Sequence, residues 1–417
     1  MILMRILLLT AIFPPEIRSQ AHLFHELAVE LRRRGHEVAV VTKVPTYYVA
    51  NGEREKVGAG WSEIEGIRVL RVSGFPLTSR HPLIRAMEHL TLGWRFGRAA
   101  KHWPYADAVL VYSPPLPLAF SGVRYHRDFG APVVLNVQDL YPQTAIDLGL
   151  LRNPLGIKLA ERMEARAYEG ASRVVVHSPG NLDFLVNRKK VVGSKVRVIY
   201  NWVDTGSVRP GIRQNSFRTE HQLGDRLVVS YAGLMGYAQD LTAIINCAEQ
   251  MKEEKDVEFL LVGEGVLEDR WKQMAQARAL ENIRFLPLQS KDRYVELLAA
   301  SDICLVPLSG DLRTPVVPGK LQSIMASGRP AITIVDPEGD TPKLVSESGA
   351  GMNVPPNQSG ALAEAIRKLK ADPVLRREMG QRGRAFAEAH FSLKRCADAY
   401  ESLFDELREE KQQRSHC

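Results

Sequence analysis

Short, continuously apolar runs that alternate with helical stretches restrict the fold of this 417-residue chain more than any other feature. In the first half the runs fall at residues 5–11, 37–42, 67–72, 108–112, 133–137, 173–177 and 196–200. Between the first two, Leu23, Leu27 and Leu31 recur at helical spacing in a helix that Ser19 caps and Gly35 ends. Strands that are apolar on both faces, each followed by a helix, form a parallel, doubly wound sheet. The alternation resumes with apolar runs beginning at Arg226, Val257, Asn282, Ala300 and Ala331. A chain of this length exceeds one ordinary core, so two domains of about 200 residues each are expected.

Composition excludes several classes. With 45% hydrophobic and 25% charged residues and no low-complexity run, the chain has the make-up of a soluble globular protein. Cys247, Cys304, Cys396 and Cys417 show neither CxxC pairing nor metal spacing, which favours a reduced, cytoplasmic protein over a disulfide scaffold. Residues 1–13 read as a first buried strand rather than a signal peptide, because the apolar run after Arg5 is short and Pro14-Pro15-Glu16 replaces a small-residue cleavage site. No stretch reaches the ~18 consecutive apolar residues that would span a bilayer.

The chemistry concentrates in one segment, Arg313-Thr-Pro-Val-Val-Pro-Gly-Lys320, which opens a helix over 320–327 that stops at Gly328. Helix N-termini present N–H groups and partial positive charge, so they suit anions. Lys320 and Arg313 add full charges where a phosphate or diphosphate would sit. The alternative is a loop with solvated cations. The segment follows an apolar strand ending at Pro307-Leu308, and in open α/β sheets ligands bind at that carboxyl end. Gly233 and Gly236 after the Arg226 run let the backbone turn and approach a ligand. Gly263-Glu264-Gly265 after the Val257 run is a second such turn, which a plain structural role also explains.

In the first half, the loop Phe13-Pro14-Pro15-Glu16-Ile17-Arg18-Ser19-Gln20 contains no glycine, which argues against an NAD or FAD site. Gln138 and Asp139 end a strand and should face the crevice, unless Asp139 only caps the next helix. Residues 205–222 hold Gly206, Pro210 and Gly211 among polar residues and read as an interdomain linker.

These motifs, in this order, resemble the retaining glycosyltransferases of family 4, which have the GT-B fold. Lys320-Leu-x-x-Ile-Met-Ala-Ser-Gly-Arg-Pro330 resembles the donor-site signature, with Ser301-Asp-Ile-x-Leu-x-Pro307 before it at the family's spacing. Asn201-Trp202-Val203-Asp204 resembles the family's domain junction. Gln138-Asp139-Leu140-Tyr141-Pro142 and Ala232-Gly-x-x-Gly-x-Ala-Gln239 resemble the branch that builds O-antigen and capsular polysaccharides, including transferases of N-acetyl-L-fucosamine.

The resemblance implies two Rossmann-like domains, 1–204 for the acceptor and 223–391 for the nucleotide-sugar, facing across a cleft. Residues 392–417 would form a helix and tail that return to the first domain. It implies a UDP-sugar donor, N-acetylated or 6-deoxy, and an undecaprenyl-diphosphate-linked acceptor at the inner face of the cytoplasmic membrane. Asp139 and Gln138 would be catalytic. Gly233, Gly236, Gly263, Glu264, Gly265, Leu286, Arg313, Lys320 and Ser323 would hold the donor, and Glu16 and Arg18 the acceptor.

The chain departs from the family at four places, one of them Gln143, where the polysaccharide branch usually has Glu after the Pro. Arg18-Ser19 stands where members commonly carry a Gly pair. Leu234 and Gln239 replace a cationic pair near the diphosphate. Pro315 and Ser323 occupy the positions of two glutamates eight apart. With a diphosphate already a good leaving group, neither a general acid nor an obligatory metal or other cofactor is expected. A nucleotide-sugar epimerase of the same fold, with His177 as the one histidine at a strand end, and a non-catalytic nucleotide-sugar-binding partner remain alternatives.

Charge adds a location. Residues 1–210 hold 28 Lys and Arg against 18 Asp and Glu, whereas residues 211–417 hold 27 against 30. No nucleic-acid motif accompanies the basic half, which leaves an anionic membrane surface or simple solubility. Residues 83–101 carry Leu83, Ile84, Met87, Leu90, Leu92, Trp94 and Phe96 among Arg85, Arg95, Arg98 and Lys101. That helix either lies on lipid or packs on its own sheet. The motifs do not define an oligomeric state.

Overall fold

Hydrogen bonding joins the apolar runs into two sheets. The computed structural model describes residues 3–16, 19–45, 57–73 and 82–416. The first sheet holds β1 (Arg5–Leu9), β2 (Glu37–Lys43), β3 (Gly60–Ile64), β4 (Ile67–Val72), β5 (Ala108–Ser113), β6 (Val133–Val137), β7 (Arg173–Val176) and β8 (Val196–Val198). Their spatial order is β3-β4-β2-β1-β5-β6-β7-β8. Every pairing is parallel except β3 with β4, a hairpin whose two turn residues, Glu65 and Gly66, both have positive φ. No apolar run announces β3, because this edge strand is almost wholly exposed. The second sheet holds β9 (Leu227–Ala232), β10 (Val257–Val262), β11 (Ile283–Leu286), β12 (Ile303–Pro307), β13 (Ala331–Ile334) and β14 (Gly351–Val354), all parallel, in the order β11-β10-β9-β12-β13-β14.

The strand orders reverse once in each sheet, between β1 and β5 and between β9 and β12. At a reversal the flanking loops diverge to opposite faces and leave a crevice at the carboxyl edge, where open α/β sheets bind ligands. Each sheet has its own core: Leu7, Val41, Val109, Val111 and Leu135 in the first, and Val229, Phe259, Leu261, Leu305 and Ile332 in the second.

The chain divides into one unit of Met1–Asn201 with Leu393–Cys417 and a second of Trp202–Ser392. The final helix, Leu393–His416, belongs to the first unit, where Tyr400, Leu403, Phe404 and Leu407 are buried. Ion pairs run beside that apolar seam, from Arg34 to Asp398 (2.6 Å) and from Arg173 and Arg197 to Glu406 (2.7 and 2.6 Å).

The expected linker needs correction, and of the two readings of residues 83–101 the described half favours packing on the sheet. Residues 205–222 are not a loose linker. They contain the helix Ser216–Glu220, which Asn215 caps, and Phe217 and Arg218 are buried in the second unit. Arg218 donates to Asp302 (2.7 Å), which also accepts from Arg213 and from the Val228 N–H. A buried guanidinium with a carboxylate partner holds this segment down. The helix expected over 83–101 runs Pro82–Ala99, and in its described half Leu92, Phe96 and Ala99 sit in the core. Ser121 donates to the Gly93 carbonyl at 2.6 Å, fixing the helix to its neighbour. In this half Leu92 and Phe96 are thus spent on the core, which leaves Trp94 outside with Arg98 over the ring.

Candidate functional site

The carboxyl edge of the second sheet is shaped by glycine. Gly233, Gly263 and Gly265 have φ of 153, 147 and 159°, which side-chain-bearing residues rarely adopt. A Cβ on Gly263 would meet the Gly233 carbonyl oxygen at 1.9 Å, and one on Gly265 would meet that of Met235 at 2.3 Å. The loops after β9 and β10 therefore lie backbone against backbone, tied by Met235 N–H to the Glu264 carbonyl (2.8 Å). The Gly263 N–H reaches the Leu286 carbonyl (3.0 Å), so the exit of β11 joins the same cluster. Gly236 is different: its φ is ordinary, and a Cβ there would find nothing nearer than 3.7 Å.

Lys320 stands over this floor. It occupies the first turn of the helix Gly319–Ala326, which starts behind Pro318 with no side-chain cap, so its first N–H groups have no partner within the helix. Its ammonium lies 4.2 Å from the centre of the Tyr231 ring, and a Cβ on Gly233 would come within 2.9 Å of it. Desolvation pulls its pKa from 10.5 down to about 7. Lys320 as a whole is only partly buried, and an anion bound beside its ammonium would restore the charge. Tyr231, which donates to the Leu234 carbonyl, was not legible as a site residue; its signal was only an aromatic two residues before a glycine.

The other expected donor residues divide. Ser323 faces Tyr294, whose hydroxyl it hydrogen-bonds. Arg313 has a side chain 72% exposed and lies 3.4 Å from Asp336. Its loop anchors elsewhere, as Thr341 donates to the Val316 carbonyl at 2.6 Å.

In the first unit, Asp139 follows β6 and remains open to solvent. Desolvation by the surrounding protein raises its carboxyl pKa above the usual carboxylate value. Gln138 is more constrained than a group meant for substrate. Its amide donates to Asn136 (2.8 Å) and Asn201 (2.9 Å) and accepts from Asn201 (2.8 Å), while Asn136 reaches Tyr400 of the final helix. Both amide hydrogens are taken, so Gln138 holds the strand end in place. Glu16 is buried, 3% exposed, where the buried Arg71 attracts it, so its carboxylate does not face solvent as an acceptor ligand would. Arg18 lies outside the described residues. His177 is buried with Nδ1 at 2.8 Å from the Ile199 carbonyl, and burial lowers its pKa to about 4, so the ring is neutral. That removes the histidine on which an epimerase reading rested.

Two doubly wound sheets and a final helix returning to the first unit define a GT-B fold, and the chain is a glycosyltransferase. Residues 20–202 match the family described as glycosyl transferase 4-like domain, and residues 212–386 match glycosyl transferases group 1, so the chain belongs to the family 4 type of GT-B enzymes. WcaI of Escherichia coli (strain K12), a glycosyl transferase assigned to colanic acid biosynthesis, is 27% identical over 88% of this chain and 92% of its own length. Among solved structures, sucrose-phosphate synthase from Thermosynechococcus elongatus superposes with a TM-score of 0.77 at 19% identity, covering 97% of this chain and 99% of that one. HepE of Anabaena, solved with UDP, gives 0.72 at 17% identity over 97% and 100%.

Proposed function

We propose that the chain moves a sugar, with retention of anomeric configuration, from a UDP-linked donor to a lipid-linked saccharide during assembly of a cell-surface polysaccharide. The observation that carries the reading is Lys320, held over the Gly233–Gly263 floor at a helix N-terminus and at the strand-order reversal of the second sheet. Backbone N–H groups and one ammonium there would offset the charge of a departing diphosphate, the main task in such a transfer. With that charge supplied by the chain, the reading needs no resident metal. The relative assigned to colanic acid biosynthesis supports the polysaccharide assignment, and the UDP-bound neighbour supports the nucleotide. The Gln138–Tyr141 segment supports an N-acetylated or 6-deoxy amino sugar. The acceptor would be an undecaprenyl-diphosphate-linked saccharide, met at the inner face of the cytoplasmic membrane.

A thermal-shift comparison of UDP-, GDP- and dTDP-sugars tests the donor, since a ligand that binds only the folded chain raises its melting temperature. UDP-N-acetyl sugars should give the largest rise, undiminished by EDTA. A rise with GDP- or dTDP-sugars alone would replace the nucleotide, and one that EDTA abolishes would restore a metal.

A further inference from the structure

Asn153 accepts from the N–H groups of Leu155 and Gly156 (2.9 and 3.1 Å), and Pro154 occupies the first helical position, so the helix Pro154–Gly170 starts sharply. Its inner face is set by Glu164, Ala167 and Tyr168, all buried. Glu164 is bound there by Lys189 (2.9 Å) and the Tyr168 hydroxyl (3.0 Å). Residues on the opposite face then point outward at 100° steps. They are Leu155, Lys158, Leu159, Arg162 and Arg166. Leu155 is 79% and Leu159 61% exposed, and Leu150 just before the helix is 57% exposed. A soluble surface tolerates single exposed leucines, but Leu155 and Leu159 on one helix face, with exposed Leu150 shortly before the helix, mark a contact surface.

We infer that this face, Leu150, Leu155 and Leu159 with their surrounding cations, is where the chain rests on an anionic lipid surface. The inference rests on the lipid-linked acceptor proposed above, and it moves the contact from residues 83–101, whose described apolar residues Leu92 and Phe96 are buried, to this helix. Charge decides the occupant. Arg152, Lys158, Arg162 and Arg166 are exposed around the leucines, against the exposed carboxylates Glu161 and Glu169. Arg188 and Lys189 line one cavity with Glu161 and Glu164, which brings Arg188 and the exposed Lys190 beside the same helix. A second copy docking through this face in a symmetric dimer would oppose these cations to themselves. A leaflet rich in acidic headgroups complements them, with leucines dipping into the acyl boundary and Lys and Arg stems reaching the headgroups. The face also lies just downstream of Asp139 in the chain, on the segment that leaves the carboxyl end of β6.

Cosedimentation of the full chain with phosphatidylglycerol-containing vesicles and with phosphatidylcholine vesicles tests this without requiring turnover. The chain should bind the former at low salt and be largely released at high salt, where screening shortens to about 3 Å. Leu155→Glu with Leu159→Glu should reduce binding by on the order of tenfold or more, because two apolar anchors are lost. Lys158→Glu with Arg162→Glu should remove the preference for acidic lipid, whereas Arg95→Glu with Arg98→Glu should leave it. All these positions except Arg95 are exposed, and an unchanged melting temperature confirms the fold of each variant. Wild-type-like binding by the leucine variant overturns this face while leaving membrane attachment standing. No binding of the wild-type chain to either vesicle overturns both this inference and the membrane location. Wild-type dimers in sedimentation velocity that the leucine substitutions dissociate would make a second copy the occupant instead.

Discussion

Two groups of carboxyl-edge loops, those after β9 and β10 in the second sheet and those after β1, β5, β6 and β7 in the first, are built from opposite residues. After β9 and β10 the turns are glycine, and they lie so close that a single Cβ would collide with carbonyl oxygens. After β1, β5, β6 and β7 the loops carry proline: Pro14-Pro15, Pro114-Pro115, Pro142 and Pro179. Glycine turns let the backbone pack against itself and clear space beneath Lys320, so a phosphate there would meet the ammonium and the helix N-terminus without a side chain in between. Proline removes a donor and fixes φ, so on the proposed function recognition there would pass to side chains such as Asp139. On the proposed function, the second unit would take the shared part of a nucleotide-sugar, and the first whatever is particular to this chain's substrates.

The comparison can be broken at several points. The largest effect is expected at Asp302→Ala, which strands Arg218 and Arg213 beneath β12. Losing one member of a buried pair costs about 3–5 kcal/mol. Chemical denaturation should show the second unit unfolding early; an unshifted transition would make residues 205–222 a dispensable connector after all.

Lys320→Ala should lower turnover by on the order of 10²-fold, as for loss of one charged donor to a leaving group. pH gives the same site a second signature. The free chain loses the Lys320 proton near pH 7, while an anion-bound chain keeps it to higher pH, so UDP affinity should weaken as pH rises above about 7. Calorimetry across that range checks the slope, and Lys320→Arg, which stays charged, should flatten it.

Next, Gly263→Ala should weaken UDP binding through strain of roughly 1–3 kcal/mol, while Gly236→Ala should be nearly silent. Equal effects would mean that the backbone collision at Gly263 is not what shapes the floor. On the proline side, Asp139→Asn should leave UDP affinity intact and cut transfer by on the order of tenfold. Reduced UDP affinity would place Asp139 on the donor instead. The smallest effect belongs to Tyr400→Phe, which removes the hydroxyl facing Asn136 and should cost about 1 kcal/mol in the first unit, read by urea denaturation.

What the sequence alone determined was whatever depends on local period and local backbone chemistry. The apolar runs at Ile67–Val72 and Val133–Val137 appear as strands with those bounds, and Gly233, Gly263 and Gly265 show the backbone freedom that glycine allows. The helix opened by Pro318-Gly319 followed from the same punctuation. What only the tertiary structure decided depends on partners distant in sequence. Gln138 looked like a substrate ligand until Asn201 and, through Asn136, Tyr400 of the final helix saturated it. Glu16 looked available until Arg71, 55 residues on, drew it inward. The amphipathic stretches at 83–101 and Pro154–Gly170 both carry leucines among cations, and period alone does not say which apolar face meets a sheet. Burial is a property of the neighbours, so only the folded chain could put Phe96 inside and leave Leu155 in water.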